Sequence, residues 1–245
     1  MGIKENIADV RARIAAAASR SGRRAEDITL VCVTKTRTVS EIAEALKSDA
    51  FELGENRAQE FLDKYGNIQD IAEELSIKRN IKWNFIGHLQ RNKVKYIIDK
   101  ADLIHSVDGF KLAEEIDARA AGSGRSANVL IQLNAGGETQ KSGVAISESG
   151  ALAKEIGSRL PHIKLRGLMA VVPAVGDPEE ARGYFREAKR AFDVLAKRYD
   201  GAGEGFDHLS MGMTHDFEVA IEEGATMVRV GAAIFGPRSY ETEDV

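Results

Sequence analysis

The sequence predicts an α/β protein, a single (β/α)8 TIM barrel spanning residues 1–245 with an extra helix at its N-terminal side. Two observations carry that reading. Eight short apolar runs alternate regularly with segments of helical periodicity, and no linker or low-complexity stretch interrupts them. Parallel strands need crossover connections, usually helices, and eight such units in about 220 residues close naturally as a barrel. A doubly wound open sheet is the other arrangement compatible with the alternation. No G-x-G-x-x-G follows the first strand to support it.

Ile3, Ile7, Val10 and Ile14 fall at helical spacing and give the leading helix over 3–20, with Gly22 as its C-cap. ITLVCVTKTR (28–37) is the first strand. A helix over 39–47 follows, with Ser40 expected as N-cap. FELGEN (51–56) is the second strand, with helical segments from Arg57 and through 68–77. IKWNFIGH (81–88) is the third strand and 92–100 the third crossover helix. ADLIHSVD (101–108) is the fourth, with Asp108 expected to cap the helix that ends at AAGSG. ANVLIQLN (127–134) leads through a glycine-rich loop to a helix over 148–158. IKLRGLMA (163–170) precedes a long helix over 178–198. FDHLSMG (206–212), a short helix over 216–223, and TMVRVGAAIFG (226–236) complete the eight units.

The 245 residues are 43% hydrophobic and 29% charged, enough for one substantial core. A net charge of −4 with scattered basic residues gives no footprint for nucleic acid or an anionic membrane. A single cysteine excludes an internal disulfide and fits a reducing cytoplasm. No apolar run approaches the roughly 20 residues of a membrane span. The start, MGIKENIADVRARIAAAASR, lacks the apolar core of a signal peptide. Cytoplasmic residence is the expectation.

In the first strand, Val31, Val33 and Lys35 share one face and Leu30, Cys32 and Thr34 the other, because side chains alternate. An apolar strand that delivers a lysine at its carboxyl end suits Schiff-base chemistry. There the amine must be partly desolvated yet open to an aldehyde. A strand-end lysine that merely reaches water fits the same pattern. Active sites of such barrels lie at the carboxyl ends of the strands, where Lys35, Asn56, His88, Asn134, Ser210 and Arg229 fall. Phosphate sites in this fold often use the loops after strands seven and eight. Small-residue turns occur at both, around Gly212 to Thr214 and from Gly231 to Ala233. Arg229, flanked by Val228 and Val230, carries a desolvation cost that demands a partner. That partner is either a carboxylate such as Glu55 or a ligand atom. The histidines show no metal-ligand spacing with any carboxylate or cysteine, so no metal is expected.

The motifs VTKT, ELGENR, FIGHLQRNK, SVD, KSG, RGLMA, LSMGMTHDFEVAI and VRVGAAIFG stand in this order over about residues 5–238. Together they closely resemble the pyridoxal phosphate homeostasis proteins, whose barrel is related to the N-terminal domain of alanine racemase. The resemblance implies that Lys35 carries pyridoxal 5′-phosphate as a Schiff base. It implies that Ser210, Thr214, Gly231 and Ala232 hold the phosphate, that Arg229 faces the pyridine nitrogen, and that Asn56 and Met211 border the ring. The family usually has serine where this chain has Thr214, which keeps the hydroxyl. It often has histidine where this chain has Asn84. The implied role is buffering and delivery of the cofactor to recipient apo-enzymes by a cytoplasmic monomer without catalysis of its own.

A guanidinium stays protonated and leaves a pyridine nitrogen without a proton, which weakens the ring as an electron sink. Alanine racemase adds an opposing tyrosine from a second domain. The five tyrosines here fall mainly on predicted helices or the tail. An amino-acid racemase, and a lysine Schiff-base aldolase acting on a phosphosugar, are the alternatives. Lys141, in the loop after the fifth strand, is a candidate contact for a substrate, a phosphate or a second cofactor molecule. His88 is a candidate pocket residue.

Overall fold

The computed structural model describes residues 2–77, 80–138, 142–199 and 205–237. Lys141 lies outside the described residues. Eight parallel strands form a closed barrel in chain order. They are β1 (Thr29–Val33), β2 (Glu52–Glu55), β3 (Lys82–Phe85), β4 (Leu103–Val107), β5 (Ala127–Asn134), β6 (Ile163–Val171), β7 (His208–Met213) and β8 (Met227–Val230). Closure comes from β8 pairing with β1, which sets Val31 opposite Arg229. The crossovers carry α2 (Val39–Leu46), α3 (Ala58–Glu74), α4 (Val94–Ile97), α5 (Phe110–Gly122), α6 (Ser149–Arg159), α7 (Arg182–Tyr199) and α8 (Phe217–Glu222). α1 (Ile3–Arg20) precedes the barrel and α9 (Ala232–Phe235) follows β8.

Alternation along the strands divides the apolar residues into two cores. Val31, Leu103, Leu130, Met169 and Met227 fill the barrel interior. Cys32, Leu53, Trp83, Val228 and the apolar stripes of the helices form the larger layer outside it. Trp83 is fully buried there, with Phe61 edge-on at 5.2 Å and Tyr65 at 5.7 Å between ring centres. Its placement follows from a β3 position facing outward onto α3.

α1 buries Ile7, Val10, Ile14, Ala17 and Ala18 against the last elements of the chain. Asn6 Nδ2 donates to the Ile234 carbonyl at 2.8 Å, Arg13 to Glu218 at 2.9 Å and Arg20 to Glu222 at 2.6 Å. Arg182 joins the same cluster through Glu222 and Glu223, at 2.7 and 3.0 Å.

Several local expectations are revised. The N-cap of α2 is Thr38, whose hydroxyl accepts from the Glu41 amide while the Glu41 carboxylate accepts from the Thr38 amide. Ser40 is already inside the helix, because this reciprocal box outcompetes a lone serine. α5 starts at Gly109 with no side-chain cap, and Asp108 turns toward His88 instead. The two helical segments expected after β2 are one continuous helix. The third crossover contracts to a 3-10 turn and the single turn of α4. The expected glycine does close α1: Gly22 has a φ of 68°, and the Arg23 amide donates back to the Ala18 carbonyl at 2.8 Å.

One glycine is essential to the sheet. Gly167 has a φ of 149° at the register shift between β5 and β6, and a Cβ there would stand 1.8 Å from the His208 carbonyl oxygen. Gly167→Ala is therefore expected to cost at least about 2 kcal/mol, read as a lowered midpoint of denaturant unfolding.

A candidate cofactor cavity at the mouth of the barrel

A cavity of about 410 Å³ opens at the carboxyl ends of the strands, with Lys35, Asn56, Thr214, Arg229, Gly231 and Ala232 in its lining. Its apolar walls are Val33, Ile86, Met169 and Val171. The period of two along β1 places Val33 and Lys35 inward, and Lys35 is half-buried. Asn56 follows β2, and its Oδ1 is buried without a hydrogen-bond partner. Gly87 makes room for it, since a Cβ at that position would lie 2.1 Å from the Asn56 carbonyl oxygen.

The loop after Lys35 is tightly braced. Thr36 is held at a φ of 61°, an uncommon conformation for a β-branched residue and one that costs about 1–3 kcal/mol. Its amide donates to Glu60 Oε2 at 2.8 Å. Lys64, reaching up from α3, donates to the Thr34 carbonyl at 2.8 Å, to Glu55 at 2.7 Å and to Glu60 at 3.2 Å. The Thr34 hydroxyl completes the bracket by donating to Glu55 Oε1 at 2.6 Å. Arg37 donates to the carbonyls of Phe235 and Gly236 at 3.0 and 2.6 Å, tying this loop to the end of α9.

Across the cavity, the Thr214 hydroxyl accepts from the Gly231 amide at 3.3 Å and joins the loops after β7 and β8. Ala232 begins α9, and the first amides of a helix have no partner within it. Asp216 holds the preceding turn by accepting from the Met213 amide at 2.6 Å. Met213, unremarked in the sequence, is 45% exposed at the cavity edge.

Arg229 is buried, and its partners are the Ser210 hydroxyl at 2.7 Å and the Ala170 carbonyl at 3.1 Å. Burial pushes the guanidinium down to about 10, so it stays protonated at neutral pH. Glu55 is not its partner. That carboxylate faces outward onto α3 and belongs to Lys64.

Two further expectations are corrected. Met211 does not border the cavity: it is fully buried in the outer core, because it follows the inward-facing Ser210 by one residue. Ser210 lies inside the barrel behind Arg229, and its hydroxyl bonds to Arg229 and His105 rather than lining the cavity. Asn134 stays at the end of β5, where its amide donates to the Glu138 carbonyl. His88 is exposed beside Ser142 and Asp108, a trio of the residue types found in hydrolases. Both neighbours approach the same ring nitrogen, Nδ1, at 3.1 and 3.3 Å, so no proton relay can run through the ring.

Sequence reasoning missed Lys64 and His105. Lys64 reads as an ordinary charge on an amphipathic helix, and only its spacing of four from Glu60 hints at a pair. His105 sits between Ile104 and Ser106 in β4, with no charged residue in the strand to mark it. It is fully buried, and burial and then Arg229 hold it well below the ordinary histidine value of 6.5.

Lys64→Met leaves the buried Glu55 without its cation. A loss of about 3–5 kcal/mol in denaturant-derived stability is the expected result. For His105 the unfolded chain takes up the proton first, so folding stability is complete above pH 6.5 and falls as pH drops below it. The slope is about 1.4 kcal/mol per pH unit, and His105→Gln removes that contribution. Unfolding curves from pH 7 down to about 5 measure it.

Comparison with known proteins places the chain in a family. Residues 6–239 match the family model of the alanine racemase N-terminal domain. A pyridoxal phosphate homeostasis protein of Aquifex aeolicus is 42% identical, over 98% of this chain and 100% of its own. A crystal structure of a protein from Bifidobacterium adolescentis superposes with a TM-score of 0.87 at 37% identity, covering 95% of this chain and 94% of that one. PipY of Synechococcus elongatus, solved with pyridoxal phosphate bound, gives a TM-score of 0.75 at 29% identity over 96% of this chain and 100% of its own. The chain thus belongs to the alanine racemase N-terminal domain family, in the group of the pyridoxal phosphate homeostasis proteins.

Proposed function

We propose that the protein binds pyridoxal 5′-phosphate in the cavity at the barrel mouth and acts in the homeostasis of that cofactor, storing it and releasing it to apo-enzymes. The observation that carries this reading is the meeting of Lys35 with Arg229 and the Thr214–Gly231–Ala232 corner in one cavity of about 410 Å³. The donors suit the ligand. An amine at the end of β1 captures an aldehyde. The hydroxyl and helix-start amides beyond β7 and β8 suit a phosphate. The buried Asn56 Oδ1, which has no partner in the protein, suits a donor on the ligand. When bound, the cofactor supplies the aldehyde and a conjugated ring that absorbs visible light.

The residues that would hold the cofactor also limit what is done with it. Arg229 stays protonated and can only donate to a pyridine nitrogen, so it would not stabilise a proton there as a carboxylate would, and the ring would be kept a poor electron sink. Among the described residues, no tyrosine and no carboxylate lines the cavity, and the histidine at its edge, His215, is exposed with Nε2 at 3.1 Å from the Gly176 carbonyl. Both features favour a carrier over a racemase. Arg229, which offers donors rather than accepting them, suits a heteroaromatic nitrogen better than the hydroxyls of a phosphosugar, which favours the cofactor over the aldolase alternative. We assign the protein to the cytoplasm as a monomer. The single thiol, Cys32, is buried and pushed up to about 12 by burial, so it serves as an unreactive packing group.

Incubation with pyridoxal phosphate is expected to give wild-type protein a visible absorption band that survives desalting, and Lys35→Ala is expected to lose it. A wild-type protein that stays colourless overturns the reading. Turnover of alanine or other amino acids by the loaded protein would overturn the carrier assignment.

A further inference from the structure

The barrel interior holds five polar side chains in contact, one from each of five strands. Arg229 Nη1 donates to Ser210 Oγ at 2.7 Å, and Ser210 Oγ lies 3.0 Å from His105 Nδ1. His105 Nε2 lies 3.0 Å from Asn84 Oδ1, and Asn84 Nδ2 donates to Glu52 Oε2 at 2.9 Å and to the Leu53 carbonyl at 3.2 Å. We propose that Glu52, Asn84 and His105 are positioning residues for Arg229, joined to it through Ser210 in a hydrogen-bond chain that runs one way, from the cavity floor to Glu52.

Chemistry fixes the direction from both ends. The guanidinium can only donate, so Ser210 Oγ accepts from it and the serine proton is turned toward His105. At the other end, Glu52 and the Leu53 carbonyl can only accept. The amide of Asn84 must therefore present its NH2 to them and its oxygen to His105. That oxygen requires a proton on Nε2, which leaves Nδ1 as the acceptor for Ser210. Reversing one link would set donor against donor or acceptor against acceptor in a dry interior. A second proton on the ring is opposed by its burial and by Arg229.

The hydrogen-bond chain links Arg229 to a distant carboxylate, while the nearer charge of Asp216 acts on it through space. Each link polarises the next, so Glu52 supports the donor–acceptor alignment without neutralising the guanidinium at the cavity. The Ser210 bond and the Ala170 carbonyl occupy part of the donor fork and fix its plane. The guanidinium held in this way belongs to the cavity lining. Its consequence for the cofactor rests on the reading given above, whereas the direction of the chain does not.

The test uses full-length protein with 15N-labelled histidine. Ring 15N spectra at neutral pH are expected to show His105 neutral with its proton on Nε2, before and after cofactor is added. Asn84→Leu, which approximates the amide in shape but breaks the chain, is expected to weaken the Kd for pyridoxal phosphate about tenfold and to shift the bound absorption maximum. Glu52→Gln, which keeps an acceptor but removes the charge, is expected to weaken binding less than Asn84→Leu does. A proton on Nδ1, or a doubly protonated ring, overturns the proposal even if Asn84→Leu fails to fold. Wild-type affinity and an unmoved maximum in folded Asn84→Leu overturn it as well. Failure of wild-type protein to take up pyridoxal phosphate instead defeats the cofactor reading and the Arg229 role with it, and the ring spectra still decide the direction of the chain.

Discussion

Every functional feature of this molecule depends on the alternation of side chains around a closed ring of strands. Because the ring is closed, inward and outward are fixed for each residue, and a shift of one position changes its surroundings completely. Lys35 and Arg229 are inward and meet at the cavity. Thr34 and Glu55 are outward and meet Lys64 on α3. The same rule builds a site on one face of the barrel wall and its brace on the other.

That division separates two ways of handling buried charge. Outside the wall, Lys64 sits against Glu55 and Glu60, a compact group that fixes the backbone on either side of Lys35. Inside it, Arg229 donates its hydrogen bonds to neutral groups, the charge of the buried Asp216 reaches it only through space, and the hydrogen-bond chain meets a carboxylate four side chains away. A local pair lowers a cation's field at short range, whereas a string of dipoles anchors the side chain and leaves the field in place. The second arrangement is the one that keeps a positive charge at work in the cavity.

The barrel was legible in the sequence because each strand is a short apolar run bounded by turn residues. The cavity was legible where chemistry stands out against that background, as with Lys35 ending an apolar strand and Arg229 embedded in one. Met211 was misplaced because a motif names residues in sequence while a strand sorts them by parity, and its neighbour Ser210 already occupied the inner face. Ser210 itself was assigned to the cavity because its depth below the rim is a matter of barrel stagger, which local pattern does not carry. Lys64 and His105 escaped for a different reason. Their partners come from α3's packing and from strands distant in the chain, so nothing near them in sequence announces the contact.

The anchoring of α1 on the far end of the chain bears on how the protein is made. Asn6, Arg13 and Arg20 find their partners at Ile234, Glu218 and Glu222, and β1 finds its second neighbour only in β8. Both contacts bridge some two hundred residues, so loop closure over nearly the whole chain must precede them. During synthesis the first helix and first strand emerge long before their partners, leaving an apolar stripe and an unpaired strand edge uncovered until the last elements leave the ribosome. Completion of the ring is thus a late event of biogenesis, and the corner that joins Thr214 to Gly231 is formed only then.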